Sequence, residues 1–251
     1  MIMFRFVLWG VCLSQFLLLA AELSAQTGRD SLALRTLLSA ATLREDSLCG
    51  GDYIPEDSSW LDAAYFFPAF LRDRSSLEKY IRDPRFQALR RECGDTIAVD
   101  LIFARAFEIA DGSMGHALLI ASLATFDHFR IGVIFPLLGV VSFPLGLESR
   151  GEYNVRYAHL PRRILPDSIG RSRRDRDKLQ HFFGSAYLTY SFDSKFIAQT
   201  VGNFVEWGEP LFIAGGDYDE RDKYANRLGQ EFGKRLLNGD KVLPSDILWR
   251  K

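Results

Sequence analysis

In the stretch "RDRDKLQHFFGSAYLTY", Arg174 to Tyr190, an acid at 177 and an imidazole at 181 stand four residues apart, just before the chain turns apolar and aromatic. Four residues is one helical turn, so Asp177 and His181 share a helix face. Two further segments repeat the pattern of polar groups and glycine. Asp177, His181, Gly184 and Leu188 form one stripe; Gln199, Gly202, Glu206 and Glu209 a second; Asp222, Asn226, Gly229 and Gly233 a third. A glycine inside a helix costs about 1 kcal/mol against alanine. Three such stripes predict helices over about 177–192, 195–209 and 219–237 that approach closely along glycine seams and gather an imidazole, carboxylates and an amide.

Two chemistries suit that set. His181 could be a general base on water, with Glu206 and Asp177 as its carboxylate partners. Alternatively Asp177, His181, Asp222 and Asn226 supply the mixed oxygen and nitrogen donors of a divalent metal site, for Mn²⁺, Mg²⁺ or Zn²⁺. Lys178, Arg174 and Arg176 are candidate contacts to an anionic ligand. Each residue also has a structural explanation: Asp177 with Gln180 has the spacing of a capping box, His181 suits a hydrogen-bonded core position, and Asn226 could fix helix register. The sequence has no H-E-x-x-H, P-loop, G-x-S-x-G or dinucleotide fingerprint.

The elements that must position these residues are mostly helical. The chain has 251 residues, 47% of them hydrophobic and 25% charged, with a net charge of −1. It has no long basic field and no zinc-finger or RNP motif, which argues against nucleic acid as a partner. Residues 1–25 read as a secretory signal: Arg5 precedes an apolar run from Phe6 to Ala21, with small residues at Ser24 and Ala25. An uncleaved anchor helix is the alternative. Of three cysteines, Cys49 and Cys93 follow that segment, and in an oxidising compartment they are a candidate disulfide, the alternative being two free thiols.

Residues 26–128 read as a helical region. Pro84 interrupts or begins a helix, Gly112 ends another, and "SMGHALLIASLATFDHF" is apolar enough to be central. Residues 129–176 hold a small β element and a basic linker. From Ile131 to Leu147 no residue is charged, and Pro136, Pro144, Gly132, Gly139 and Gly146 interrupt the run. Strands fit better than a spanning helix, which needs about 20 residues; a membrane-dipping segment is the alternative. "EYNVRYAHL" alternates like a partner strand, bringing the β element to residues 129–158. The linker through Arg176 could meet a membrane surface or anionic lipid. Residues 177–251 are the C-terminal three-helix region. The fold class is therefore mainly α, with one small β element.

"DKLQH" at 177–181, Glu206 and "DERDKYANRLG" at 219–229 resemble the D-K-x-x-H, E and D-x-x-x-N-x-x-G pattern of the YfiM-like (DUF2279) periplasmic family, and more weakly that of VanZ-like membrane proteins. The resemblance covers about the last 75 residues. It implies a cell-envelope protein with Asp177, Lys178, His181, Glu206, Asp222, Asn226 and Gly229 as its marked positions, and it supplies no reaction. Two departures stand out: the C-terminal region lacks an apolar run long enough for the spans of VanZ-like proteins, and the chain lacks the lipobox cysteine of YfiM-like lipoproteins.

Overall fold

A computed structural model describes residues 69–135, 139–144, 146–168, 175–192 and 220–249, with side chains left undescribed at 131–144. Within these ranges the fold is mainly α: eight helices and one two-stranded hairpin. Helix α1 (Ala69–Arg82) carries Lys79 and Arg82 in its last turn, where cations oppose the helix dipole. Helix α2 (Pro84–Cys93) begins at the proline; Asp83 caps it, accepting from Arg85 N at 2.8 Å. Gly94, at φ 90°, both ends α2 and precedes α3 (Asp95–Ile109), so one residue turns the chain between two helices. Past α3, Gly112 at φ 82° donates its N–H back to Phe107 O, closing the helix end where the sequence predicts a stop.

Helix α4 (Met114–Ala124) has nine of its eleven residues buried, as its apolar sequence predicts, and packs against α1, α3 and the later helix α6. The hairpin follows: β1 (Arg130–Phe135) pairs antiparallel with β2 (Gly139–Pro144), with Val133 opposite Val141 and Ile131 opposite Phe143. The predicted third segment is a correction. "EYNVRYAHL" lies in helix α5 (Arg150–His159), not in a strand. Ser149 and Glu152 form a reciprocal capping box there, and the buried positions Tyr153, Arg156 and His159 fall three apart, the period of a helix.

Helices α6 (Arg176–Phe192) and α7 (Glu220–Leu237) form the most extensive pair, and short α8 (Ser245–Leu248) returns to α3. Asp100 on α3 receives Ser245 N at 2.8 Å and so fixes that return. The predicted first and third C-terminal helices are thus present within a residue; the second, about 195–209, lies outside the described residues. A single buried cluster draws on helices from both ends of the described chain, from Leu77 to Leu248. Its aromatic centre joins α3, α6 and α7: the ring centroid of Phe232 lies 5.2 Å from that of Phe103 and 5.3 Å from that of Phe182. Among the described residues no helix is long and apolar enough to cross a membrane.

Candidate functional site

Helix α7 lies against α6 because two of its glycines admit the α6 backbone. A Cβ on Gly229 would come 2.1 Å from Phe182 O, and one on Gly233 would come 2.4 Å from Ala186 O. Ordinary side chains cannot occupy that space, so the glycine seam read from the sequence sets the interhelix distance for this pair. Gly184 faces the other way, toward α4, where its nearest neighbour would be Ser122 Oγ at 3.2 Å.

Toward the start of α6 the same contact becomes polar. Lys178 Nζ lies 2.5 Å from Asp177 Oδ2 and 2.7 Å from Asp222 Oδ1, so one ammonium bridges carboxylates from both helices. His181 Nε2 stands 3.3 Å from the same Asp222 Oδ1. One turn further, Ser185 Oγ donates to Asn226 Oδ1 at 2.9 Å. The cluster is graded in exposure: the Lys178 side chain is 2% exposed, Asp222 14%, His181 15% and Asp177 34%. Burial pushes the Asp177 carboxyl above its usual range; the Lys178 hydrogen bond opposes this and the charge of Asp222 adds to it.

The structure therefore brings Asp177, Lys178, His181 and Asp222 together, with Asn226 adjacent. Asp177 is not the helix cap its spacing with Gln180 suggests: α6 begins one residue earlier, and the carboxylate goes to Lys178. The donors of the candidate four-residue metal set, Asp177, His181, Asp222 and Asn226, have partners within the protein. The lysine ammonium holds the position between the two acids, and Asn226 Oδ1 is engaged by Ser185. Among the described residues no group of three or more His, Cys, Asp or Glu is arranged to hold a metal. Of the candidate anion contacts, Lys178 and Arg176 are both engaged within the fold. The charge of Lys178 is matched by two acids, and Arg176 is buried with its guanidinium 4.3 Å over the Tyr157 ring of α5. Arg174 and Glu206 lie outside the described residues. So does Cys49; Cys93, half-buried at the end of α2, forms no disulfide with any described residue.

Sequence reasoning misses the anchor beneath the cluster. Asp175, fully buried, accepts through Oδ2 from Ile164 N at 2.9 Å, Leu165 N at 3.1 Å and the Ser168 hydroxyl. Its Oδ1 takes Arg221 Nη2 at 2.5 Å, and Arg221 also grips Asp167. This network holds the first turns of α6 and α7 on the 164–168 loop and so sets the height at which Lys178 meets Asp222. Asp175 sits in the "RSRRDRD" run, whose alternating charges read as a solvated linker. Ser185 is more accessible to sequence reasoning, standing four residues after His181 on α6.

Chemically, the arrangement sets an imidazole beside a carboxylate that a lysine already holds, with 3.3 Å between His181 Nε2 and Asp222 Oδ1. A small turn of the ring would let Nε2–H donate to Asp222 and leave the Nδ1 lone pair to accept a proton. Compared with known proteins, the chain matches no family model, no curated protein and no solved structure.

Proposed function

We propose that this is an exported protein of the bacterial cell envelope and that the α6–α7 polar cluster is its working site, where His181, beside Asp222, acts as a general base in hydrolysis of an envelope substrate. The observation that carries the reading is the His181–Asp222 pair at 3.3 Å, set at a half-open edge of the helix pair and not sealed in the aromatic core. Lys178 keeps Asp222 in place from the buried side. Export rests on the apolar segment at residues 6–21 and its small residues at 24–25. The resemblance of "DKLQH" and "DERDKYANRLG" to YfiM-like envelope proteins points to the same compartment.

The test is hydrolysis by the purified chain, screened over carboxylic esters, phosphomonoesters, phosphodiesters and peptidoglycan fragments. His181→Ala and Asp222→Asn should each lower kcat/KM by about 100-fold or more on whichever class is turned over. Turnover that survives His181→Ala, or no turnover of any class, sinks the catalytic reading. N-terminal sequencing of the protein recovered from a bacterial periplasm tests export: the expected first residue is Gln26, and retention of residues 1–25 favours an anchor.

A second reading has its own support. The ammonium bridge from Lys178 and the glycine contacts of 229 and 233 are what a packing lock requires. In that reading the protein is a non-catalytic, membrane-peripheral scaffold, and His181→Ala changes stability alone.

A further inference from the structure

Away from the α6–α7 cluster, arginines collect where α2 meets the end of α5. Arg90 on α2 reaches the carbonyls that close α5: its Nη1 lies 3.3 Å from Ala158 O, with shorter bonds to His159 O and Leu160 O. Arg162 Nη2 donates to the same Ala158 O at 3.2 Å, so two guanidinium groups converge on one carbonyl. The carboxylate built into this corner is Asp95, at the start of α3, and its oxygens are taken. Its Oδ2 accepts from the backbone N–H groups of Arg162 and Arg163 at 3.0 and 2.9 Å, and its Oδ1 lies 3.4 Å from Arg90 Nε. Asp83 is held by Arg85 at 2.7 Å.

Positive charge is therefore in excess here, in a chain whose net charge is −1. Burial holds the Arg90 guanidinium below its ordinary value; Asp95 opposes this, and the charges of Arg162, Arg176 and Arg91 add to it. Among the described residues Arg91, Arg162 and Arg163 form no ion pair, and Arg162 Nε is buried without a hydrogen-bond partner. Glu92, next to Arg91 in the chain, is exposed and also unpaired among the described residues, so it does not close the cluster. Arg91 and Arg163 are exposed and Arg162 is half-buried, which leaves the three within reach of a ligand. Guanidinium forks match the planar geometry of carboxylates and phosphates. Three arginines beside a single, already engaged acid suit a phosphate group better, because it carries up to two charges and more acceptor oxygens than a carboxylate.

We propose that Arg91, Arg162 and Arg163 form an anion site at the α2–α5 corner and that its ligand is a phosphate group, borne by a soluble molecule or by a phospholipid headgroup. The inference is independent of the catalytic reading. Two arms separate the sources. Titration calorimetry of the purified chain with inorganic phosphate at low ionic strength reads the first. Co-sedimentation with phosphatidylcholine–phosphatidylglycerol vesicles, against pure phosphatidylcholine vesicles, reads the second. Saturable binding in calorimetry assigns a soluble phosphate compound; binding to the anionic vesicles alone assigns a headgroup. In whichever arm binds, Arg91→Gln, Arg162→Gln and Arg163→Gln should each weaken binding by about ten-fold, the effect of one charge-assisted hydrogen bond. Because Arg91 and Arg163 are exposed, their variants should melt with wild type, which separates lost binding from misfolding. Arg227→Gln, which removes an exposed arginine from α7, should bind as wild type does. Absence of binding in both arms, or binding indifferent to the three corner variants, overturns the inference. An equal loss in Arg227→Gln also overturns it, in favour of attraction to overall charge alone.

Discussion

Gly229→Ala separates the seam account from helix propensity, because the two predict opposite signs. In an exposed helix the change should stabilise by about 1 kcal/mol. Here the new methyl would stand 2.1 Å from Phe182 O, and an ordinary contact begins at 3.4 Å, so the helices must part locally by about 1.3 Å. The obstacle is backbone and cannot rotate away. Parting by that amount would take Lys178 Nζ from 2.7 Å to about 4 Å from Asp222 Oδ1 and would stretch the 2.9 Å Ser185–Asn226 bond beyond hydrogen-bonding range. Overpacking costs about 1–3 kcal/mol, and each hydrogen bond lost about 1 kcal/mol. Set against the propensity gain, the net loss is about 2–4 kcal/mol, a fall of roughly 4–16 °C in melting temperature for a chain of this size. Gly184→Ala is the internal control. Its methyl meets only the Ser122 hydroxyl at 3.2 Å, a side chain able to turn, so the variant should melt at or slightly above wild type. Thermal melts followed by far-ultraviolet circular dichroism read both. A Gly229→Ala protein as stable as the Gly184→Ala protein would refute the close approach and the site built on it.

Arg156→Met should cost about 3–5 kcal/mol in urea unfolding, because Glu148 loses a buried partner and two carbonyls lose their donor. Asp175→Ala should cost a similar amount and loosen the 164–168 loop, seen as faster amide exchange at Ile164 and Leu165. Ser149→Ala removes the α5 cap and should cost about 1 kcal/mol. Burial raises the Glu78 carboxyl above 4.5, Arg74 opposes this and Glu148 adds to it. The folded state then holds more protons than the unfolded between 4.5 and the raised value. Stability from this group is accordingly greatest at low pH and falls as pH rises through that window. Urea titrations at a series of pH values should show this slope in wild type and a flatter profile in Glu78→Gln.

The parts of the fold legible in the sequence are those encoded locally. Pro84 behind Asp83, Gly112 after α3 and the apolar run of α4 carry their own start, stop and burial signals. The interior glycines of α7 are legible for a related reason: their propensity cost needs a compensating contact, and the Phe182 and Ala186 carbonyls are that contact. Buried charge is not legible. Arg156, Asp175 and Arg176 look like surface residues until their distant partners are known, and those partners lie on other elements. The same blindness makes α5 read as a strand. Its inward positions include an arginine and a histidine, so a hydrophobicity pattern shows no helical stripe there. At the candidate site Asp177, His181, Asp222 and Asn226 stand out from residue type and spacing. Their mutual geometry turns instead on Lys178, which reads from the sequence as a ligand contact and serves as the bridge.

Arg90 fastens the far end of α5 in a different manner from the lysine bridge. Its Nη1 donates to the carbonyls of His159 and Leu160 at 2.5 and 2.6 Å, groups that no change of pH can neutralise. The Lys178 joint depends on two carboxylates that acid can discharge, one of them already displaced toward protonation. The α2–α5 corner has its own titratable group, His159, whose burial holds the imidazole below its usual range, so acid must charge a ring that the fold keeps neutral. An acidic surrounding should therefore strain the corner that His159 closes, while protonation of Asp177 relieves a burial cost at the edge that carries His181.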